Sequence, residues 1–213
     1  MPQNKYKATQ PYRGIDAETR KKQRRDAFIE AGLESFGTIG YARSTIRGIC
    51  ENAGLTERYF YESFQNKEDL LVAVYRNLIQ DMVDDARTIA AQPGISPRDA
   101  AYNSLTMYYR RFQDDPRRAR VELFEVLGVS PRVDKEYQSA MKTLADWVKL
   151  FVIAIFPGVD KKWLDKSIIH TGAAGAILEI ANQWVLEGCK TPIKELVDQE
   201  IEAFMIIGRH YEK

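Results

Sequence analysis

The chain has 213 residues, 31 Lys+Arg against 30 Asp+Glu and a formal net charge of +1, the make-up of an ordinary globular protein rather than a uniformly basic nucleic-acid coat. Its two cysteines, Cys50 and Cys189, exclude a disulfide scaffold and stand at no metal-ligand spacing. The charge is unevenly spread: residues 1–67 carry 12 basic against 8 acidic groups, and residues 68–213 carry 19 against 22, so one end alone is suited to meet phosphate.

Residues 1–16 are polar, with Pro2, Pro11 and Gly14, and read as a flexible basic arm. Nothing in them resembles the apolar stretch of a secretory signal. The longest apolar run, 148–156, is interrupted by Lys149 and is too short to span a bilayer. A cytoplasmic protein without membrane contact is expected.

From there the chain reads as all-α, with no strand alternation. A first helix is expected from Ala17 to Phe36, with Phe28, Ala31, Ser35 and Phe36 inward and Gly37 and Gly40 ending it. Ser44 should cap a second helix whose Ile46, Ile49, Cys50 and Ala53 share one face. Gly54 supplies the turn, since a sharp reversal needs a residue tolerant of positive φ. Thr56 should cap a third helix, with Phe60 and Phe64 one turn apart. Asn66 should cap a fourth, with Asp69 placed for a reciprocal cap. Beyond it a polar cap followed by proline recurs at Ser96-Pro97, Asp115-Pro116, Ser130-Pro131 and Thr191-Pro192. This predicts helices near 67–91, 97–113, 116–128, 131–156, 161–187 and 192–210.

Two short helices around a glycine turn, in residues 41–71, are the layout of a helix-turn-helix, which lays one helix in the DNA major groove. The free N–H groups opening the second and third helices favour phosphate, which makes Ser44, Thr45 and Thr56 contact candidates. Arg43 and Arg47 add charge. Arg58 is placed to read guanine through O6 and N7, and Tyr59 to meet a thymine methyl or a phosphate. Arg20, Lys21, Lys22, Arg24 and Arg25 either follow the DNA backbone or form a solvated face. Lys5, Lys7 and Arg13 either enter the minor groove or belong to a disordered tail.

Phe36, Gly40-Tyr41, Ser44-Thr45, Ile49, Ala53-Gly54-Leu55-Thr56, Phe60-Tyr61, Phe64, Lys67-Glu68 and Leu70 together resemble the signature of the tetracycline-repressor (TetR) family. The resemblance covers residues 20–71. It implies a homodimer whose heads bind a palindromic operator in double-stranded DNA, and a helical body that binds a small effector and releases the DNA. It also places Tyr61 and Lys67 on backbone phosphate. The chain departs from the pattern at the bulky Glu57-Arg58-Tyr59, at Cys50 where alanine is common, and at Gly48 inside a helix.

The expected organisation is an arm (1–16), a three-helix DNA-binding head (17–71) and a larger helical body for ligand binding and dimerisation (72–213). An effector site there should be apolar with a few polar groups. Its candidate residues are Tyr108, Met141, Trp147, His170, Glu179, Asn182 and Gln183, and its ligand a small apolar or aromatic molecule. The last two long helices are the expected dimer surface: Gly172 to Ala176 permit close approach, and Ile193, Leu196, Val197, Ile201, Phe204 and Ile207 recur at helical spacing. The same small residues also suit packing inside one subunit. A constitutive regulator without an effector is the alternative. An enzyme is disfavoured, because His170 and His210 are the only histidines and no nucleophile–base pair or phosphate loop is visible. No cofactor or metal is expected.

Overall fold

The computed structural model describes residues 13–212, with side chains from Asp16 onward, so Lys5, Lys7 and the side chain of Arg13 lie outside it. Among the described residues there are ten α-helices, one π-helical turn and no β-strand. They are α1 (Arg13–Thr38), α2 (Ile46–Ala53), α3 (Glu57–Ser63), α4 (Lys67–Ala90), α5 (Pro97–Asp114), α6 (Pro116–Arg120), the π turn (Val121–Glu125), α7 (Pro131–Ile155), α8 (Lys161–Lys166), α9 (Ile169–Leu186) and α10 (Ile193–Tyr211).

Local chemistry explains most of these boundaries. Ser96 accepts from Asp99 N at 3.0 Å, Asp115 from Arg117 N at 3.2 Å and Ser130 from Val133 N at 3.2 Å, each just before a proline in the first turn. Asn66 Oδ1 accepts from Asp69 N at 2.8 Å. Asp69 answers one residue further back than expected, accepting from Gln65 N at 3.0 Å.

Five expectations are corrected. Helix α1 begins at Arg13 and runs through Gly37 to Thr38; the reversal comes at Gly40, with φ +94°. The cap of α2 is Thr45, whose Oγ1 accepts from Gly48 N, while Ser44 is buried and donates to Gly40 O. Thr56 occupies the cap position of α3, yet its hydroxyl makes no capping bond. The segment from Pro116 is α-helical only to Arg120 and then widens into the π turn. The long helix expected over 161–187 is broken at Ser167, whose N–H and hydroxyl both turn back to Leu164 O and end α8.

Two large apolar cores result, with a small third cluster of Phe156, Val159 and Leu164 that shares Ile155 and Met205 with the second. The first joins Phe28, Phe36, Ile49, Phe60 and Phe64 to Leu70–Leu78 of α4 and draws in Val121, Val126, Val133 and Ala140. The second gathers Tyr109, Phe112, Leu123, Ile177, Trp184, Val197 and Ile201. Helix α4 runs through both, since Met82 packs on the second. The π turn does the same in five residues, sending Val121 to one core and Leu123 to the other.

Two carboxyls are caught in these interiors. Burial lifts Glu122 to about 8, against the opposing fields of Arg118 and Arg111. Burial lifts Glu200 to about 7, against the hydrogen bond that Tyr109 donates to it. Between the ordinary value of 4.5 and these raised values, the folded state holds protons that the unfolded chain has released. Stability therefore declines as pH rises through that window. The melting temperature is expected to fall by several degrees between pH 5 and pH 8, and Glu122→Gln to flatten that fall. Melts at matched ionic strength check this; an unchanged slope in the Gln protein would show that Glu122 ionises freely in the fold.

Candidate nucleic-acid interface and effector cavity

The head is built to hold α3 outward. The Phe28 ring meets Phe60 edge-on at 5.5 Å and Phe64 at 6.3 Å, which pins α3 to α1. Gly54, at φ +64°, closes α2: its N–H reaches Glu51 O at 3.2 Å and that of Leu55 reaches Cys50 O at 3.0 Å. With Phe60 and Phe64 turned inward, Thr56, Glu57, Arg58, Tyr61 and Glu62 are left exposed.

Each predicted DNA-facing residue has a definite place. Tyr61 is 57% exposed and backed by the Phe60 ring at 5.5 Å. Arg58 points into solvent and lies 3.3 Å from Glu62 Oε1; Arg47 lies 3.1 Å from Glu51 Oε1. Exposed pairs of this kind are worth little, so both guanidinium groups are free to change partner. Thr45 and Thr56 are exposed at the N-termini of α2 and α3. Ser44 is buried, its hydroxyl and its N–H both turned to Gly40 O and its carbonyl taken by Lys67, so neither side chain nor backbone is presented to DNA.

Tyr59 is half-buried beneath Arg24, whose guanidinium sits 4.5 Å from the ring centre. Arg25 donates to Ser63 O at 3.1 Å and covers the Phe64 ring at 4.4 Å. These two α1 arginines therefore brace α3. Lys67 is likewise engaged: its ammonium donates to Tyr41 O at 2.7 Å and Ser44 O at 2.8 Å and lies 4.3 Å over the Tyr41 ring. Burial pushes its pKa down, and one N–H remains for a phosphate.

Sequence reasoning missed the contacts that tie this head to the body. Glu125 accepts from Tyr41 N at 2.6 Å and from Arg120 Nε at 2.9 Å, and Arg120 also donates to Thr38 O. Arg117 spans Glu34 at 2.7 Å, Glu30 at 3.1 Å and Asp115 at 2.8 Å. Gly37 lets α6 come close, since a Cβ there would lie 2.7 Å from Arg117 Cα. Arg132 pairs with Glu68 and Asp69, and Arg76 with Glu136, fastening α7 along α4. Only the abundance of charge hinted at this lattice; the pairing is set by the fold.

The body encloses a cavity of about 460 Å³ walled by α4, α5, α7, α8, α9 and α10. Met82 and Ala86 of α4, Leu105 and Tyr108 of α5, Trp147 and Phe151 of α7 and Phe204 and Met205 of α10 line it. At its rim Trp163 stacks on Tyr211 at 4.5 Å, beside the exposed Ile168 and Ile207. Of the predicted ligand residues, Tyr108 and Trp147 reach this cavity and Met141, His170, Glu179, Asn182 and Gln183 do not line it. The α9 stripe facing the cavity is Ile169, Gly172, Ala173, Ala176 and Ile177. Glu179, Asn182 and Gln183 lie in the turns beyond it, and Met141 sits a turn before Leu144, where the α7 lining begins. The rim contributions of α8 and α10 were missed because α8 was read as part of one long helix.

A helix-turn-helix head displaying Arg58 and Tyr61, joined by a long helix to a helical body with an apolar cavity, defines a ligand-responsive DNA-binding transcriptional regulator. Residues 28–74 match the family of bacterial regulatory proteins called tetR. The fatty acid metabolism regulator protein of Bacillus subtilis (strain 168) is 21% identical over 193 residues, 89% of this chain and 98% of its own length. The regulator BetI of Rhizobium meliloti (strain 1021) is 30% identical over 93 residues, 44% of this chain and 45% of its own. Among solved structures, the fatty acid degradation regulator FadR from Bacillus halodurans superposes with a TM-score of 0.71 at 18% identity, over 92% of this chain and 95% of its own. FadR from Bacillus subtilis, solved in complex with stearoyl-CoA, superposes with a TM-score of 0.68 at 18% identity, over 83% and 95%. These relatives regulate transcription, and this chain is a regulator rather than an enzyme. No described helix is long and apolar enough to cross a membrane.

The Glu125 contacts make a direct prediction. Glu125→Ala strands the Tyr41 N–H and the Arg120 guanidinium and is expected to cost about 1–3 kcal/mol. Arg47→Ala, which removes an exposed pair, should stay within about 0.5 kcal/mol. Urea denaturation measures both. Amide exchange at residues 38–44 should quicken only in the Glu125 protein; equal protection in the two variants would show that Glu125 does not restrain this turn.

Proposed function

We propose that the protein is a homodimeric repressor that holds a palindromic operator with its two heads and is released by a long-chain acyl ligand in the body. The observation that carries the effector half is the cavity itself, apolar and of the size that small-molecule sites occupy. A constitutive regulator of this fold would have that space filled by side chains. The fatty-acid regulators among the relatives support an acyl chain over a compact aromatic ring.

In this reading the head is 17–71 and the body 72–213. Arg58 reads a base, while Tyr61, Lys67, Thr45, Arg47 and Thr56 hold phosphates. Tyr59 lies under Arg24 and supports the helix. Two copies meet through α9 and α10. Support for that surface comes from the exposed Leu186 and Ile206, each 63% accessible. The work takes place in the cytoplasm. The ligand shifts DNA affinity through its differential affinity for two arrangements of α4, which lines the cavity and also begins the head.

Selection of random-sequence DNA by the purified protein is expected to enrich a palindrome. Palmitoyl-coenzyme A should then release it, and Arg58→Ala should weaken operator binding by about 1–3 kcal/mol while relaxing one base position in each half-site. Failure to enrich any sequence would overturn the operator reading. Unchanged DNA affinity with bound acyl ligand would overturn the effector reading.

A further inference from the structure

The cavity wall is almost wholly apolar, with Ser104 and the tyrosines Tyr108 and Tyr211 as its uncharged polar members. Arg98, in the first turn of α5, is the one residue with a permanent charge among the described residues lining the cavity, and none of those residues brings a carboxylate. Arg98 is exposed and forms no ion pair among the described residues. Asp198 feels the field of Arg98, and that carboxylate is already held by Lys194 at 2.6 Å and by the Tyr102 hydroxyl at 3.0 Å. The guanidinium thus presents unclaimed N–H donors beside an apolar hollow, in the fork that suits a carboxylate or a phosphate.

We infer that Arg98 is the anion anchor of the effector site, selecting acyl ligands that carry a carboxylate or phosphate at one end against neutral chains of the same length. This rests on the acyl reading above. The physical basis is asymmetric: the hydrophobic effect holds the chain and sets how much of it fits. A charge-assisted hydrogen bond at the rim then distinguishes ligands that the apolar wall cannot tell apart. Because Arg98 is exposed and packs into neither core, replacing it leaves the fold intact.

The test is binding of palmitate, palmitoyl-coenzyme A and uncharged 1-hexadecanol, below their aggregation limits, to the wild-type dimer and to Arg98→Ala and Arg98→Lys. Quenching of the cavity tryptophans Trp147 and Trp163 gives the readout. Arg98→Ala is expected to weaken an anionic ligand about tenfold and to leave hexadecanol unchanged, with Arg98→Lys recovering part of the loss. Loss confined to palmitoyl-coenzyme A identifies the phosphates as the anchored group; loss for palmitate identifies the carboxylate. Equal affinity of wild type and Arg98→Ala for all three ligands overturns the assignment, and so does an equal loss for hexadecanol, which would mean simple packing. If the wild type binds none of the three while still binding its operator, the acyl reading falls, and this assignment with it.

Discussion

The position of the DNA-facing helices depends on how Tyr41 is held. Its N–H is taken by Glu125 from the body, its carbonyl by Lys67 from the start of α4, and its ring lies 5.5 Å from Phe36 and beneath the Lys67 ammonium. The turn between α1 and α2 bonds to itself at its ends, from Ile39 N and Gly40 N to Ser35 O and from Ser44 N to Gly40 O and Tyr41 O, while the Tyr41 N–H finds its partner outside it. A buried or half-buried polar group left unpaired costs free energy, so the turn settles where those outside partners are. Lys67 also takes Ser44 O, and from Thr45 onward the chain is already the capped start of α2. The orientation of α2 and α3 is thereby referred to two elements that both reach into the body.

The π turn makes that reference mechanical. An extra residue in a helical turn is locally unfavourable and is kept where it places side chains that a regular helix cannot. Here it lets Val121 and Leu123 enter different cores while Glu125 still reaches Tyr41 and Glu122 is buried. A shift of α5 against α4 in the body therefore cannot leave the π turn untouched. Arg111 and Arg118 hold α4 at Asp81 and Asp85, partly shielded from water, in the stretch where α4 passes from one core to the other. Partly buried networks of this kind are more directional than surface pairs, because several donors share each carboxylate.

Much of the head was legible in the sequence because local chemistry decides it. The inward face of α1, the Gly54 reversal, the Phe60–Phe64 repeat and the proline-marked starts of α5, α6 and α7 follow from spacing and caps acting over a few residues. The places where reading failed are those where a distant partner decides. Ser44 and Thr45 are both good caps, and packing of Ser44 against Gly40 O leaves the role to Thr45. Nothing local announces the break at Ser167 or the π turn. The α1 arginines looked like a charge run for solvent or phosphate, and two of them instead cover aromatic rings of α3. At the cavity, polar residues of α9 were attractive because they interrupt an apolar helix. The stripe that faces the hollow is made of its smallest and most apolar residues instead.

Those small residues explain why there is a hollow at all. Glycine and alanine at 172, 173 and 176 line the α9 wall without filling it, and Gly208 of α10 lies so close to Phe156 that a Cβ there would fall 2.1 Å from the ring. The middle of the α9 wall is thus low, while α5, α7 and α10 supply large side chains around it. Unfilled apolar space forfeits dispersion contacts and destabilises the empty fold. A chain-shaped ligand would recover those contacts and would stabilise whichever arrangement of helices closes best around it. In the proposed mechanism helix α4 carries that choice to the DNA: from Ala86 at the cavity to Lys67 at the head it spans roughly 28 Å at the ordinary helical rise. A tilt of about 5° at the cavity end displaces the far end by about 2–3 Å over that length. In a dimer the two heads must match major grooves about 34 Å apart, so a displacement of that size on each side is a large error in register. In that mechanism the ligand would need no contact with the head to act on it; favouring one tilt of α4 would suffice, with Tyr41 and the π turn keeping the recognition helix from drifting independently.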